Sequence, residues 1–283
     1  VNYFDRIFAA ARTTDNALYA ITVIEGGESR TLQLRPANAA NNCYSIAKAF
    51  TVTALGMLYD SGLLDPGEFI ADIFSDELPP NADPKWRRVT VDNVMLHRFG
   101  TEHGFLDIDG EDPARFGSDD YLDLVLRHPL RYEPGEKRVY SDAAYYLLSR
   151  VVTQKSGENL DDFLRSRLFI PLGFAEAAWS RCPRGYAMGA TGLYLRTPDI
   201  AKLGVLYRDG GIFGGKRIIS QKWCDIVFEH SYELSRTGKN GFAKGGMFGQ
   251  LLWLSPGLNL AVAWQSYDDS DRNRALTEFL YNI

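Results

Sequence analysis

A chain of 283 residues is about twice the usual domain length of ~150 residues, so it accommodates one large domain or two interleaved subdomains with a sizeable core. Its 45% hydrophobic and 24% charged residues exclude long disorder, collagen and coiled coil. With 31 basic against 36 acidic side chains and a net charge of −5, no global field draws it to phosphate backbones or anionic lipid, so nucleic acid is not an expected partner.

Residues 2–12 place Tyr3, Phe4, Ile7, Phe8 and Ala11 at helical spacing, and residues 17–25 and 30–34 read as two strands around Gly26-Gly27. Residues 61–174 show helical patterns over 91–96, 119–126, 143–152 and 160–168, punctuated by Pro66-Gly67, Pro79-Pro80, Pro134-Gly135 and Pro171-Leu172-Gly173. Apolar runs at 249–254 and 258–264 flank Ser255-Pro256-Gly257, and 272–281 is an amphipathic helix after an acidic stretch from Asp268 to Asp271. Strands at both ends of a helical centre predict an α/β (α+β) fold with one antiparallel sheet assembled from both termini. Residues 1–60 and 175–283 would form the sheet region and 61–174 a mostly helical region, with the active site between them.

Cys43, Cys182 and Cys224 are an odd number without CxxC spacing, which reads as free thiols rather than a disulfide framework or a zinc ribbon. No apolar run approaches the ~20 residues of a bilayer crossing, and Val1-Asn2-Tyr3-Phe4-Asp5 does not begin a signal peptide. A soluble, cytoplasmic chain is therefore expected, although a start at Val rather than Met leaves open a removed segment.

HExxH, GxSxG, GxxxxGK[ST] and GxGxxG are all missing, and His97 and His103, six apart, lack helix-face metal spacing, so no metal site is expected. The informative element is Ser45-Ile46-Ala47-Lys48, the chain's one Ser-x-x-Lys, followed by Ala49, Phe50, Val52, Leu55 and Leu58 with helical recurrence. Residues i and i+3 share a helix face, so the Lys48 amine can reach the Ser45 hydroxyl. A lysine kept neutral by burial or nearby positive charge can take the serine's proton, and the helix N-terminus stabilises developing negative charge. The alternative is an N-cap at Ser45 with a solvated lysine.

A second element, Tyr140-Ser141-Asp142, follows Glu133-Pro134-Gly135. Its tyrosine can relay a proton to a leaving group, or be a core aromatic beside a helix cap. The third, Lys244-Gly245-Gly246-Met247-Phe248-Gly249, permits close backbone approach to a ligand and an amide donated into an oxyanion hole, or is a tight hairpin.

In this order and spacing the three elements resemble the serine β-lactamase and penicillin-binding-protein superfamily, with its SxxK, Tyr-x-Asn and K[ST]G motifs. The segments Asn93 to Gly100, Glu133 to Ser141, Pro171 to Phe174 and Ala190 to Ala201 are similar to the class C β-lactamase and esterase branch, and the likeness runs from about residue 17 to 280. The resemblance implies that fold and a metal-free, cofactor-free hydrolysis through an acyl-enzyme on Ser45. It casts Lys48 as general base and Tyr140 as the proton shuttle to the leaving group. Lys244 becomes the cation of the third motif, with oxyanion donors from the backbone of Ser45 and Met247 beside Gly246.

Departures from the pattern bear on substrate. Asp142 replaces Asn, which removes an amide donor and, if ionised near Lys48, opposes a neutral base. It can equally cap the helix or bind a substrate amine. Gly245 removes the hydroxyl that often holds the carboxylate of lactams and peptide stems, and Arg98-Phe99 follow a His97 read as structural. The expectation is a serine hydrolase of small-molecule esters, peptides or amides, as an esterase or D-amino-acid peptidase or amidase. The alternatives are a β-lactamase or D,D-carboxypeptidase, or a weakly active binding or sensing protein. Another possibility, Cys43 as the nucleophile, has no histidine near it in sequence to support it.

Overall fold

The computed structural model describes residues 2–283. In chain order its main elements are α1 (Tyr3–Thr13), β1 (Leu18–Glu25), β2 (Glu28–Gln33), β3 (Ala40–Asn42), α2 (Ala47–Asp60), α3 (Ile70–Ile73), α4 (Val91–Met95), α5 (Tyr121–Arg127), α6 (Asp142–Ser156) and α7 (Leu160–Leu164). There follow β4 (Ala177–Trp179), β5 (Leu193–Arg196), α8 (Thr197–Arg208), β6 (Ile212–Phe213), β7 (Lys216–Arg217), α9 (Gln221–His230), β8 (Ser235–Thr237), β9 (Gly241–Gly245), β10 (Leu251–Ser255), β11 (Leu260–Ser266) and α10 (Arg274–Tyr281). The chain divides into two compact units. One comprises the chain up to Ala49, Arg167–Ala178 and Leu193–Ile283; the other comprises Phe50–Ser166 and Trp179–Gly192.

The first unit holds a six-stranded antiparallel sheet in the order β2-β1-β11-β10-β9-β8, so the first long strand lies beside the last. Val23 faces Val262 and Ile21 faces Trp264 across the β1–β11 ladder. The two central strands β10 and β11 are buried along their whole length, as strands covered on both faces must be, whereas edge strand β2 is mostly exposed and carries Glu28 and Arg30. Against one face Phe4, Ile7 and Ala11 of α1 and Leu276 and Leu280 of α10 pack on Ile21, Val23, Trp253, Val262 and Trp264. Each such fully buried large side chain contributes about 1.5–3 kcal/mol. Against the other face lies α8, which comes closest at Gly204, where a Cβ would sit 3.0 Å from Ala261 Cβ and 3.1 Å from Leu252 Cδ1. The fold class expected from the apolar patterning is the one observed.

The second unit is organised around α6, whose Ala143–Leu148 run, with Val151 and Val152, is wholly buried and packs with α3, α4, α5 and α7. Tyr145 donates its hydroxyl to Met95 O at 3.1 Å, so a core aromatic also joins α6 to α4. Gly189 runs so close to α6 that a Cβ there would lie 2.4 Å from Tyr145 O. The helical pattern expected over 160–168 is a short α7 that widens into a π-turn over Arg165–Phe169. Among the described residues no helix is long and apolar enough to cross a membrane.

Candidate active site

Ser45 lies in a 3-10 turn, Tyr44–Ile46, that runs directly into α2. The turn is held under backbone constraint: Tyr44 has φ of +48°, a left-handed conformation that is costly for a bulky residue and persists only where surroundings over-determine it. Here Asn42 Oδ1 accepts the Tyr44 N–H at 2.9 Å and the Tyr44 ring meets Phe248 edge-on at 5.0 Å. On the preceding side Cys43 donates its backbone N–H to Leu193 O at 2.8 Å, tying the turn to β5.

Lys48 follows in the first turn of α2. Its side chain is wholly buried, and Nζ lies 3.1 Å from Ser45 Oγ. The i,i+3 spacing therefore does what a helix face allows, and the solvated-lysine alternative is excluded by burial. Burial also pushes the Cys43 thiol far above its ordinary range, which keeps it protonated at neutral pH and leaves no thiolate to act as nucleophile.

Beside this turn lies the loop after β9. A Cβ on Gly246 would stand 2.8 Å from Cys43 O, so the loop backbone reaches the carbonyl two residues before Ser45. Buried Gln250 fastens the loop from below. Its backbone O accepts the Gly246 N–H at 2.9 Å, its Oε1 the Phe248 N–H at 3.0 Å, and its Nε2 donates to Ser266 O at 2.7 Å. Phe248 O accepts from Ser266 Oγ and from the Asp268 N–H. Between these fixed points the Met247 N–H has no hydrogen-bond partner among the described residues, and the Met247 side chain is half exposed. A rigid loop carrying a free amide is suited to receive an oxyanion.

Lys244, on β9 opposite Leu252, is ion-paired with the carboxylate of Glu233; the Glu233 side chain is buried, and that of Lys244 is partly buried, at 12% exposure. Glu233 itself has φ of +61°. A cavity of about 500 Å³ adjoins the glycine loop and is lined by Gly246, Met247, Asp268, Asp269, Asp271 and Arg274, among others.

Tyr140, Asp142 and His97 belong to the second unit. His97, buried, receives the Ser141 N–H on Nδ1 at 3.2 Å and gives its carbonyl to the Val139 N–H at 2.8 Å, so it shapes the loop that presents Tyr140. The Tyr140 ring lies over the imidazole with centroids 4.5 Å apart and is two-fifths exposed. Ser141 occupies the N-cap of α6 without capping it through its side chain, whose hydroxyl accepts the Phe105 N–H instead. Asp142 opens α6, where its negative charge complements the helix N-terminus. Its carboxylate forms a cluster with those of Asp107 and Asp109, all within 4.8 Å of one another, the one group among the described residues with ligand atoms close enough to share a metal ion.

Sequence reasoning missed Glu233, Asp107 and Asp109. Glu233 precedes a hairpin, β8 with β9, whose three-residue first strand carries no apolar alternation to read. Asp107 and Asp109 lie far upstream of Asp142 in a loop without regular structure.

A family model described as Beta-lactamase matches residues 19–279. A protein of Escherichia coli O157:H7, provisionally named a D-alanyl-D-alanine carboxypeptidase, is 31% identical over 144 residues, 47% of this chain and 32% of that protein. An N-acetylmuramyl-L-alanine amidase of Bacillus subtilis is 27% identical over 139 residues, 47% of this chain and 31% of its own. These matches thus span about a third of the length of the curated relatives. In fold the chain is similar to a penicillin-binding-protein homologue from Caulobacter crescentus, with a TM-score of 0.75 at 15% identity over 99% of this chain and 98% of that one.

Proposed function

Since the chain belongs to the β-lactamase family, we propose that it is a serine hydrolase working through an acyl-enzyme on Ser45, and that its substrates are esters or D-amino-acid peptides and amides rather than β-lactams. The observation that carries this is the wholly buried Lys48 amine 3.1 Å from the Ser45 hydroxyl. Burial disfavours the cationic form of an amine, which is the condition for Lys48 to accept a proton.

In this reading Ser45 Oγ attacks the acyl carbon as its proton passes to Lys48 Nζ, and the carbonyl oxygen becomes an oxyanion received by the N–H groups of Met247 and Ser45. The C–O or C–N bond to the leaving group then breaks, and Tyr140 relays a proton to the departing atom while taking up the one held on Lys48 Nζ, so that both return to their starting states. Water attacks the acyl-Ser45 ester, releasing the acid and restoring the serine. Lys244 stands at the third motif, and Gly246 lets the loop approach the nucleophile. The relatives' names, a carboxypeptidase and an amidase, support amides among the substrates. Gly245 in place of a hydroxyl residue favours substrates that need no hydroxyl to hold a carboxylate.

Intact-protein mass after exposure to a fluorophosphonate, run beside the Ser45→Ala variant, tests the reading. One adduct in the native protein and none in the variant is expected. Equal labelling of both, or of neither, would overturn it.

A further inference from the structure

We propose that Glu233 is a specificity-determining positioning residue, which neutralises Lys244 and thereby turns the site away from carboxylate-bearing substrates toward neutral or cationic esters and amides. The inference rests on the serine-hydrolase reading and concerns the same site. Lys244 is the cation near the end of β9, two residues before the Gly246-Met247 loop, so it is the group to which a substrate carboxylate at that loop would be drawn. Its ammonium, itself only partly buried, is instead engaged by the buried carboxylate of Glu233 from its own unit, in an ion pair close enough for direct hydrogen bonding.

Two further observations point the same way. The adjoining residue Gly245 offers no hydroxyl to complete an anion-binding pair, although space is present, because a Cβ there would meet nothing nearer than Gln250 O at 3.7 Å. The cavity adjoining the loop is lined by Asp268, Asp269 and Asp271 against a single arginine, Arg274, so a substrate group reaching it meets net negative charge. Glu233 is also held where it is by the backbone: it enters the β8–β9 hairpin with φ of +61°, so its side chain is aimed by the fold.

The test compares two esters with one acyl skeleton, mono-4-nitrophenyl adipate and its methyl ester 4-nitrophenyl methyl adipate, by kcat and KM in the native protein, in Glu233→Gln and in Glu233→Gln/Lys244→Met. The native protein should favour the neutral ester in kcat/KM by about tenfold or more, the scale of one charge-assisted hydrogen bond. Glu233→Gln should shift the ratio toward the anionic ester by about tenfold, mainly through its KM, and the double variant should return it to near the native value. A merely structural Glu233 would lower both esters together and leave the ratio unmoved, which would overturn the inference while leaving the serine-hydrolase reading intact. Should Glu233→Gln fail to fold, the native ratio and the double variant, which buries no unpaired charge, decide the matter. A native preference for the anionic ester overturns the inference. Hydrolysis of neither ester, with no fluorophosphonate adduct, overturns both readings together.

Discussion

Gly246→Ala isolates the contact that brings the glycine loop to the Ser45 turn. The added methyl would stand 2.4 Å from Gln250 Oε1, 2.8 Å from Cys43 O and 3.1 Å from Gln250 Cβ. None of these can yield cheaply. Gln250 is buried with its side chain bonded at both ends, and Cys43 O is backbone fixed between β3 and the Ser45 turn. Restoring ordinary contact needs a displacement of about 0.5–1 Å, and overpacking of this kind costs about 1–3 kcal/mol. The loop is the part able to move, and it carries the Met247 amide. A misplacement of about 1 Å at a catalytic group costs up to about 10²-fold in rate. We therefore expect kcat for a chromogenic ester to fall by about 10²-fold with a smaller change in KM, and the melting temperature to drop by a few degrees. Gly245→Ala, whose methyl would meet only Gln250 O at 3.7 Å, is the control and should stay within about threefold of the native rate. A Gly246→Ala variant that keeps native kcat, or a Gly245→Ala variant equally damaged, would refute the argument that Gly246 is required for loop approach.

Lys48→Ala should lower kcat by about 10²–10⁴-fold, the range for loss of a general base, while the thermal midpoint reports how far the buried cavity destabilises α2. At Asp268, burial works to raise the carboxyl pKa, but the backbone N–H groups of Asn273, Arg272 and Ser270 and the charge of Arg272 outweigh it and hold the group below its usual value. A depressed folded pKa gives stability that is present above the unfolded pKa and lost as pH falls through the folded one. Asp268→Asn should therefore lose about 1–3 kcal/mol near neutral pH, and less in acid, by urea unfolding at several pH values. A penalty independent of pH would contradict this. All three thiols are buried, so an aromatic disulfide reagent should titrate none in the native protein and three after unfolding. Rapid native labelling of Cys43 would contradict its burial in the Ser45 turn.

The fold was legible wherever a segment buries one face against one partner. The hairpin of β1 and β2 announces itself through the apolar, β-branched run over 18–24 ahead of Gly26-Gly27, and β10 and β11 through continuous apolar runs broken at Ser255-Pro256-Gly257. The helices α1, α5, α6 and α10 show their 3.6 period because each has one apolar stripe or a wholly buried centre. Strands β3, β5 and β8 are only three or four residues long, too short to display a period, and take their conformation from the ladders they join. The π-turn after α7 falls under the same limit: Leu168 and Phe169 continue the apolar pattern, so sequence periodicity cannot see that the backbone has changed its hydrogen bonding.

The candidate site divides along a similar line. Ser45 and Lys48 are adjacent because three residues of helix make them so, and any reading that places a helix there brings the two side chains together. Gly246 could be suspected from composition, yet the reason only glycine fits is a carbonyl 203 positions away in the chain, at Cys43. Glu233 is further from legibility, because a lone glutamate in a polar stretch looks like a solvated charge until a hairpin brings it to Lys244. Local spacing determines which side chains meet, since Ser45 and Lys48 lie three residues apart at the start of one helix. In the proposed reading, charge selection at the same site depends on the nonlocal Lys244–Glu233 pairing, which sequence motifs do not encode. Two chains with the same Ser-x-x-Lys and Lys-Gly-Gly elements would therefore differ in substrate charge if one carried a neutral residue where this chain carries Glu233, and that difference would appear in KM for anionic substrates before it appeared in kcat.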